Sequence, residues 1–196
     1  MKYTPEPFTI EYVYHSPIPF FRDDLFLEGA VEFKGSIYLL TWREQVVLKI
    51  NPTTLELEGQ LIWERQGWGL THNTTHMFIS DGSHIIYLVD ENLKILDHRR
   101  IFNEKGKPLK NINELEYHDG YVYANIYLDR KIKKIDFHTG KVMGELDGLR
   151  MLQAELKEKS LKNDEVFNGI AYHKESQNWV LTGKNWGKFY QIKLPE

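Results

Sequence analysis

Glu28 stands directly before Gly29 at the head of an apolar, strand-like run, FLEGAVEFKGSIYLLTW at residues 26–42. A carboxyl held where water is scarce favours its neutral form and can pass a proton near neutral pH. The same local pattern recurs. Aligning Ala30, Leu70, Leu115 and Ile170 brings Glu28, Trp68, Asn113 and Asn168 to one register, and glycine follows three of the four, as Gly29, Gly69 and Gly169. One carboxylate, one indole and two amides at equivalent places form an amphipathic cup, provided that the fold turns them toward a common axis. The adjacent glycines leave room for a ligand or another backbone to approach.

The elements that must position these residues are visible as a repeat. Four first strands read EGAVEF, WGLTHN, NELEYH and NGIAYH, and each is followed at similar distance by a second: SIYLLTW, HMFISDG, YVYANIY and NWVLTGK. Third strands follow, VVLKINPTT, HIIYLVDEN, KIKKIDFHTG and KFYQIKLP, then fourth strands such as LELEGQLIW and KVMGELDG. Asn, Asp, Gly and Pro between them supply the backbone angles of tight turns. A four-strand unit recurring at about forty to fifty residues is the pattern of a β-propeller blade. The fold class is therefore all-β, a single propeller domain over residues 1–196 with four clear blades. The first strand of a blade lines the axis, so Glu28, Trp68, Asn113 and Asn168 are expected to face one another across one mouth of the channel. Residues 149–160 are the exception to the strand pattern. Leu149, Leu152 and Leu156 fall at helical spacing beside a charged face and predict one short amphipathic helix packed over an end of the propeller.

Composition narrows the partners. The 25 basic and 28 acidic side chains give a net charge of -3, which leaves no electrostatic footprint for nucleic acid or an anionic membrane. Small neutral or peptide ligands stay open. With no cysteine there are no disulfides, thiolate metal sites or cysteine nucleophiles. The eight histidines show no metal-ligand spacing such as HExxH. The N-terminal MKYTPEPFTIEYVYHSPIPF has no continuous apolar segment, so neither a signal peptide nor a membrane span is expected. By default that suggests a cytoplasmic protein, or a periplasmic or secreted one if a leader was removed.

With LEGA, YLLTW, GWGLT, SDGS, NELEY, YVYANIY, IDFHTGKV, FNGIAYH and LTGKNW in order, the chain resembles the plant and bacterial β-propeller glutaminyl-peptide cyclotransferases from about residue 26 onward. The resemblance implies a five-bladed propeller that converts the N-terminal glutamine of a peptide or protein to pyroglutamate with release of ammonia. It implies Glu28 as the catalytic residue, Trp42 and Trp68 as aromatic walls, Asn113 as a polar contact and Lys184 as a basic one. Tyr127 stands where a third tryptophan is usual and can still form an aromatic wall. Gln66 replaces the usual glutamate before GWG. The family's first blade carries a pocket glutamine in a phenylalanine, threonine, glutamine, glycine motif. Here the nearest match, PFTIEY, has Ile10 and Glu11 instead. The interval from there to Glu28 is too short for a blade, so residues 1–25 are expected to be a reduced first blade or a closure segment. An open blade edge can otherwise recruit a second copy.

Cyclisation is an attack of the substrate's own α-amine on its γ-carboxamide. The protein must hold the rotamer, accept a proton from the amine, stabilise an oxyanion and protonate the departing ammonia. Glu28, enclosed by Trp42 and Trp68, is expected to have a raised pKa and to shuttle the proton, with Asn113 and Lys184 polarising the carbonyl. No cofactor is expected, although a ring of glutamate and asparagine oxygens is also compatible with a structural calcium on the axis. Plainer readings stand beside these. Trp42 and Trp68 also fit inter-blade core, Asn113 and Asn168 also fit strand-end caps, and Lys184 also fits a solvated strand end. Two whole-protein alternatives remain: an inactive propeller binding peptides or amines in its central pocket, and a metal-assisted hydrolase.

Overall fold

The computed structural model describes residues 6–8, 25–157 and 160–193. Strand β1 (Glu6–Phe8) is followed by β2 (Leu27–Phe33), β3 (Ser36–Thr41), β4 (Val46–Ile50) and β5 (Leu57–Ile62), which make blade I. Blade II is β6 (Leu70–His72), β7 (Met77–Ser80), β8 (Ile85–Val89) and β9 (Ile95–Arg100). Blade III is β10 (Ile112–His118), β11 (Tyr121–Ile126), β12 (Lys131–Asp136) and β13 (Lys141–Asp147). After helix α1 (Leu149–Leu156) come β14 (Phe167–His173), β15 (Asn178–Gly183) and β16 (Phe189–Ile192). These three form blade IV together with β1, which pairs antiparallel with β16 so that Glu6 faces Gln191. The chain's N-terminal strand thus supplies the outer strand of its C-terminal blade. Pro7 sits in that edge strand, where a missing N–H is tolerated. The reduced first blade expected from EYVYHS, with Ile10 and Glu11 before it, lies outside the described residues.

The four four-stranded units agree with the repeat read from the sequence, and burial explains the pattern. Second strands carry apolar side chains on both faces: β7 is buried throughout, and β11 after its first residue, because each blade is covered on both sides. The fourth strands β5 and β13 alternate, since one of their faces meets solvent. Between β10 and β11 the chain reverses through Asp119 and Gly120, both at positive φ, in the Asp-Gly turn that suits the strand twist.

Three hydrophobic cores fill three junctions. Leu40, Trp63, Leu70 and Tyr87 join blades I and II. Phe78, Ile86, Leu115 and Val122 join II and III. Tyr123, Phe167, Trp179 and Leu181 join III and IV. Inner strands β2, β6, β10 and β14 adjoin in that order around the axis. Among the described residues no comparable core lies between IV and I.

Backbone donors of one inner strand are also satisfied by the preceding blade. Tyr117 N–H donates to Thr71 Oγ1 at 2.8 Å, and Tyr172 N–H donates to Glu116 Oε1 at 3.1 Å. Thr71 and Glu116 occupy the same place in their repeats, as do Tyr117 and Tyr172, so a periodic staple runs from blade II to III to IV.

The helix forms where it was expected but presents a different face. Leu149 and Leu156 are exposed, whereas Met151 and Glu155 are buried. Sequence spacing pointed to the face of Leu149, Leu152 and Leu156. The one that packs carries a carboxylate because that carboxylate has partners: Tyr190 Oη donates to Glu155 Oε1 at 2.7 Å and Gly187 N–H donates to Oε2 at 3.1 Å. Asp147 Oδ1 accepts from Leu149 N–H at 2.9 Å and so meets one of the free donors at the helix start. Tyr190→Phe, which leaves Glu155 one donor short in the interior, is expected to lower stability by about 1–3 kcal/mol, with a lowered urea midpoint and an unchanged m-value as the measured result.

Candidate functional site

Each inner strand begins with the same irregularity. Leu27 pairs with Thr41 and Ala30 with Leu39, so Glu28 and Gly29 together oppose Leu40. In the same way Asn113 and Glu114 oppose Asn125, and Asn168 and Gly169 oppose Thr182. Blade II repeats the arrangement with hydrogen bonds. Trp68 N–H donates to Ser80 O, and Ser80 N–H donates to Gly69 O, both at 3.0 Å. A two-against-one bulge bends the strand and re-aims its side chains. Because it sits at one register in all four blades, Glu28, Trp68, Asn113 and Asn168 come to one mouth of the propeller. Trp42, Tyr127 and Lys184 follow the ends of the second strands, which run antiparallel and finish at that same mouth.

The strands crowd together there. A Cβ on Gly69 would lie 2.1 Å from Asn113 O and 2.8 Å from Glu114 Cα. Ser80 Oγ accepts from Gly69 N–H at 2.8 Å and donates to Asn113 O at 2.7 Å, which fixes blade II against blade III. One blade on, Asn125 Oδ1 accepts from Gly169 N–H at 3.2 Å.

Around this frame the side chains form a connected rim. Lys184 Nζ lies 3.2 and 3.3 Å from the two carboxylate oxygens of Glu28 and so bridges blades IV and I. The same ammonium sits 5.7 Å from the centre of the Tyr127 ring, and Tyr127 meets Trp68 edge-on at 5.6 Å. Gln66 Oε1 accepts from both indoles, Trp68 Nε1 at 2.9 Å and Trp42 Nε1 at 3.0 Å. An amide oxygen thus does what a carboxylate oxygen would do as an acceptor, without adding a negative charge. Trp42 is also flanked by Phe26 at 5.7 Å and by the Arg43 guanidinium at 3.7 Å from its centroid. Both indoles are partly exposed and neither joins a buried core, so they stand at the mouth and not in the inter-blade packing.

Asn113 is buried at 2% exposure, and its Oδ1 has no hydrogen-bond partner among the described residues. Asn168 Oδ1 and Asn125 Nδ2 are unpartnered in the same way. The two ring asparagines therefore do not use these oxygens as strand caps. Buried polar atoms left open beside a channel are suited to a polar ligand.

Burial raises the Glu28 carboxyl above its ordinary range, against the opposing pull of Lys184. Two neighbours on β10 that sequence reasoning passed over are raised further. Glu114 is pushed up to about 8, chiefly by burial, with the Glu28 charge adding to the rise and Lys184 opposing it. Glu116 is pushed up to about 7 by burial, partly offset by its bond from Tyr172 N–H. The sequence did carry a signal for Glu114, which fills the place that Gly29, Gly69 and Gly169 take in the other repeats. Gln66 and Asn125 gave a weaker one, since only their partners reveal their use. Among the described residues no group of three His, Cys, Asp or Glu side chains is arranged to hold a metal. A cavity of about 780 Å³ lies elsewhere, between blades III and IV, with Tyr123, Lys134, Tyr172 and Trp179 in its wall; none of the seven mouth residues lines it.

A profile of the glutamine cyclotransferase family matches residues 16–194. The glutaminyl-peptide cyclotransferase of Arabidopsis thaliana is 34% identical over 133 residues, which is 67% of this chain and 41% of that protein. The chain thus spans less than half the length of this curated relative. The crystal structure of Myxococcus xanthus glutaminyl cyclase is similar with a TM-score of 0.81 and 27% identity, over 86% of this chain and 72% of that one. The WD40 repeats of RRP9, at 9% identity and a TM-score of 0.50 over 82% of this chain and 46% of that one, share the propeller fold alone.

The Glu28–Lys184 pair makes a directional prediction. Lys184 holds the Glu28 proton affinity down, so Lys184→Met should move the Glu28 titration to higher pH. Carboxyl carbon NMR across a pH series reads this shift, and an unchanged midpoint would show that the pair is not formed in solution.

Proposed function

Because the chain belongs to the glutamine cyclotransferase family, we propose that it cyclises the N-terminal glutamine of a peptide or protein to pyroglutamate, with Glu28 as the proton shuttle. The observation that carries this reading is the half-buried Glu28 carboxylate paired with Lys184 at a mouth walled by Trp68 and Tyr127. A glutamine side chain is flat and amphipathic, and the rim offers aromatic faces with polar groups between them.

The steps follow from the residues. Glu28 takes a proton from the substrate's α-amine, whose nitrogen attacks the γ-carboxamide carbon and closes a five-membered ring. Lys184, released from part of its contact as Glu28 becomes neutral, is the cation that stabilises the oxyanion. The open Oδ1 atoms of Asn113 and Asn168 are acceptors for the amine or carboxamide N–H groups. Glu28 then returns its proton to the departing nitrogen, the C–N bond breaks and ammonia leaves. Attack within one molecule needs chiefly the right rotamer, which the aromatic walls select. The chemistry balances with no redox partner and no cofactor.

A glutaminyl dipeptide assayed for ammonia release tests this directly. Glu28→Gln should lower kcat by roughly a hundred- to ten-thousand-fold, the range for removal of a positioned acid–base. Turnover that survives the substitution would remove Glu28 from this role. Binding of the dipeptide with no turnover in the parent protein would leave a peptide- or amine-binding pocket and no cyclase.

A further inference from the structure

We propose that the cavity between blades III and IV is a second binding site, separate from the mouth, for a small carboxylate with an aromatic body. The repeats themselves point to it. In blade I, Tyr38, Lys49 and Gly59 lie side by side across the second, third and fourth strands, and in blade III Tyr123, Lys134 and Gly144 hold the same places. Each row has its tyrosine in the core shared with the next blade. At the I–II junction the row is covered by the β8–β9 turn: Tyr38 Oη donates to Glu91 O at 3.2 Å, and Leu93 is buried in the core between the two blades. At the II–III junction the β12–β13 turn does the same. Phe137 meets Phe78, the counterpart of Tyr38, edge-on at 5.1 Å, and His138 O accepts from Arg99 Nε at 3.1 Å. Each covering turn supplies an apolar side chain and an oxygen acceptor.

Blade IV has no such turn among the described residues, because its outer strand is β1, from the other end of the chain. The space there is the cavity of about 780 Å³, a size that suits a small molecule. Its inner wall is aromatic, with the Trp179 ring 4.4 Å from that of Tyr123 and 5.2 Å from that of Tyr172, which packs on His118 at 3.6 Å. Its outer side is open at Gly144, where an added Cβ would meet nothing within 4 Å. Unlike Tyr38 Oη, Tyr123 Oη makes no hydrogen bond among the described residues. Lys134 Nζ lies 4.0 Å from the centre of the Tyr121 ring and pairs with no carboxylate among the described residues, whereas Lys49 Nζ has Glu58 at 4.0 Å. Glu145, also in the wall, is held by Lys131 and Lys133, and Asp119 and Lys193 add one charge of each sign. The cavity thus keeps a cation and a phenol for an incoming group. A carboxylate placed there would pair with Lys134 and accept from Tyr123 Oη, and a phenyl group behind it would lie against Trp179 and Tyr172, as Phe137 lies against Phe78 one junction earlier. The ligand would supply what a turn supplies at the other junctions.

The probe is 3-phenylpropionate, with its neutral amide beside it, titrated into the full chain by calorimetry while NMR follows the indole N–H signals of Trp179 and Trp68. The expected result is saturable binding of one molecule per chain that shifts Trp179 and leaves Trp68 in place. The amide should bind roughly ten- to a hundredfold more weakly, the effect of losing a hydrogen-bonded charge. Lys134→Met should weaken the acid by a similar factor, with Lys49→Met unchanged, and Gly144→Phe, whose ring enters the cavity, should abolish binding of acid and amide alike. No saturable binding of the acid overturns the proposal. So do equal affinities for acid and amide, a shift at Trp68 in place of Trp179, or a Gly144→Phe variant that binds as the parent does. If Gly144→Phe does not fold, the comparison of Lys134→Met with Lys49→Met decides. None of these readouts uses turnover, so the outcome stands apart from the cyclase reading.

Discussion

At the axis the backbones of β6 and β10 come so close that a methyl group on Gly69 would lie 2.1 Å from Asn113 O. The site depends on this crowding. Inner strands can approach in this way only if something relieves their side chains and absorbs the extra backbone, and the bulge repeated in all four blades does both. Its second residue is glycine in three of the blades, and its first is Glu28, Trp68, Asn113 or Asn168. The residues that resist close packing are thereby turned toward a shared opening. Ser80 and Asn125, each opposite a bulge, spend their side chains on the next blade and lock the strands at that distance.

Electrostatics at the mouth follow from the same geometry. Strands packed this tightly exclude water from the carboxyls between them, and burial is the largest influence on Glu28, Glu114 and Glu116 alike. Lys184 opposes the rise on Glu28 and Glu114, and Lys174 opposes it on Glu116. Among the described residues, Glu28 is the one of the three in contact with an ammonium, that of Lys184. Gln66 orients Trp42 and Trp68 through an uncharged amide oxygen.

Among the described residues, cohesion is uneven around the ring. Three junctions have apolar cores, and two of these, II–III and III–IV, also carry staples from Thr71 and Glu116. Between blades IV and I the described residues are linked at the mouth by Lys184 and Glu28, while β1 closes blade IV at its outer edge. An ion pair of this kind is worth less to stability than an apolar core. Among the described residues, its placement puts the Glu28–Lys184 pair across the junction that has no apolar core.

The repeat, the strand order, the propeller class and the ring of Glu28, Trp68, Asn113 and Asn168 were legible in the sequence, because a period of four strands and the glycine after three of the four ring residues are local patterns. Trp42, Tyr127 and Lys184 came from motif resemblance, and their meeting across blades could not be read from spacing. The helix shows the boundary between the two. Its existence and start followed from periodicity, but the face that packs was decided by Tyr190 and Gly187, residues more than thirty positions away that give Glu155 its partners. Glu114 shows it again: the sequence marked the position as the one non-glycine of four, yet only the fold supplies the burial that raises its proton affinity. Local pattern fixes which residues share a face, since backbone periodicity is set within a few residues. Proton affinity and partnership depend on what distant strands bring within a few ångströms, and for this chain the tertiary structure alone decided that.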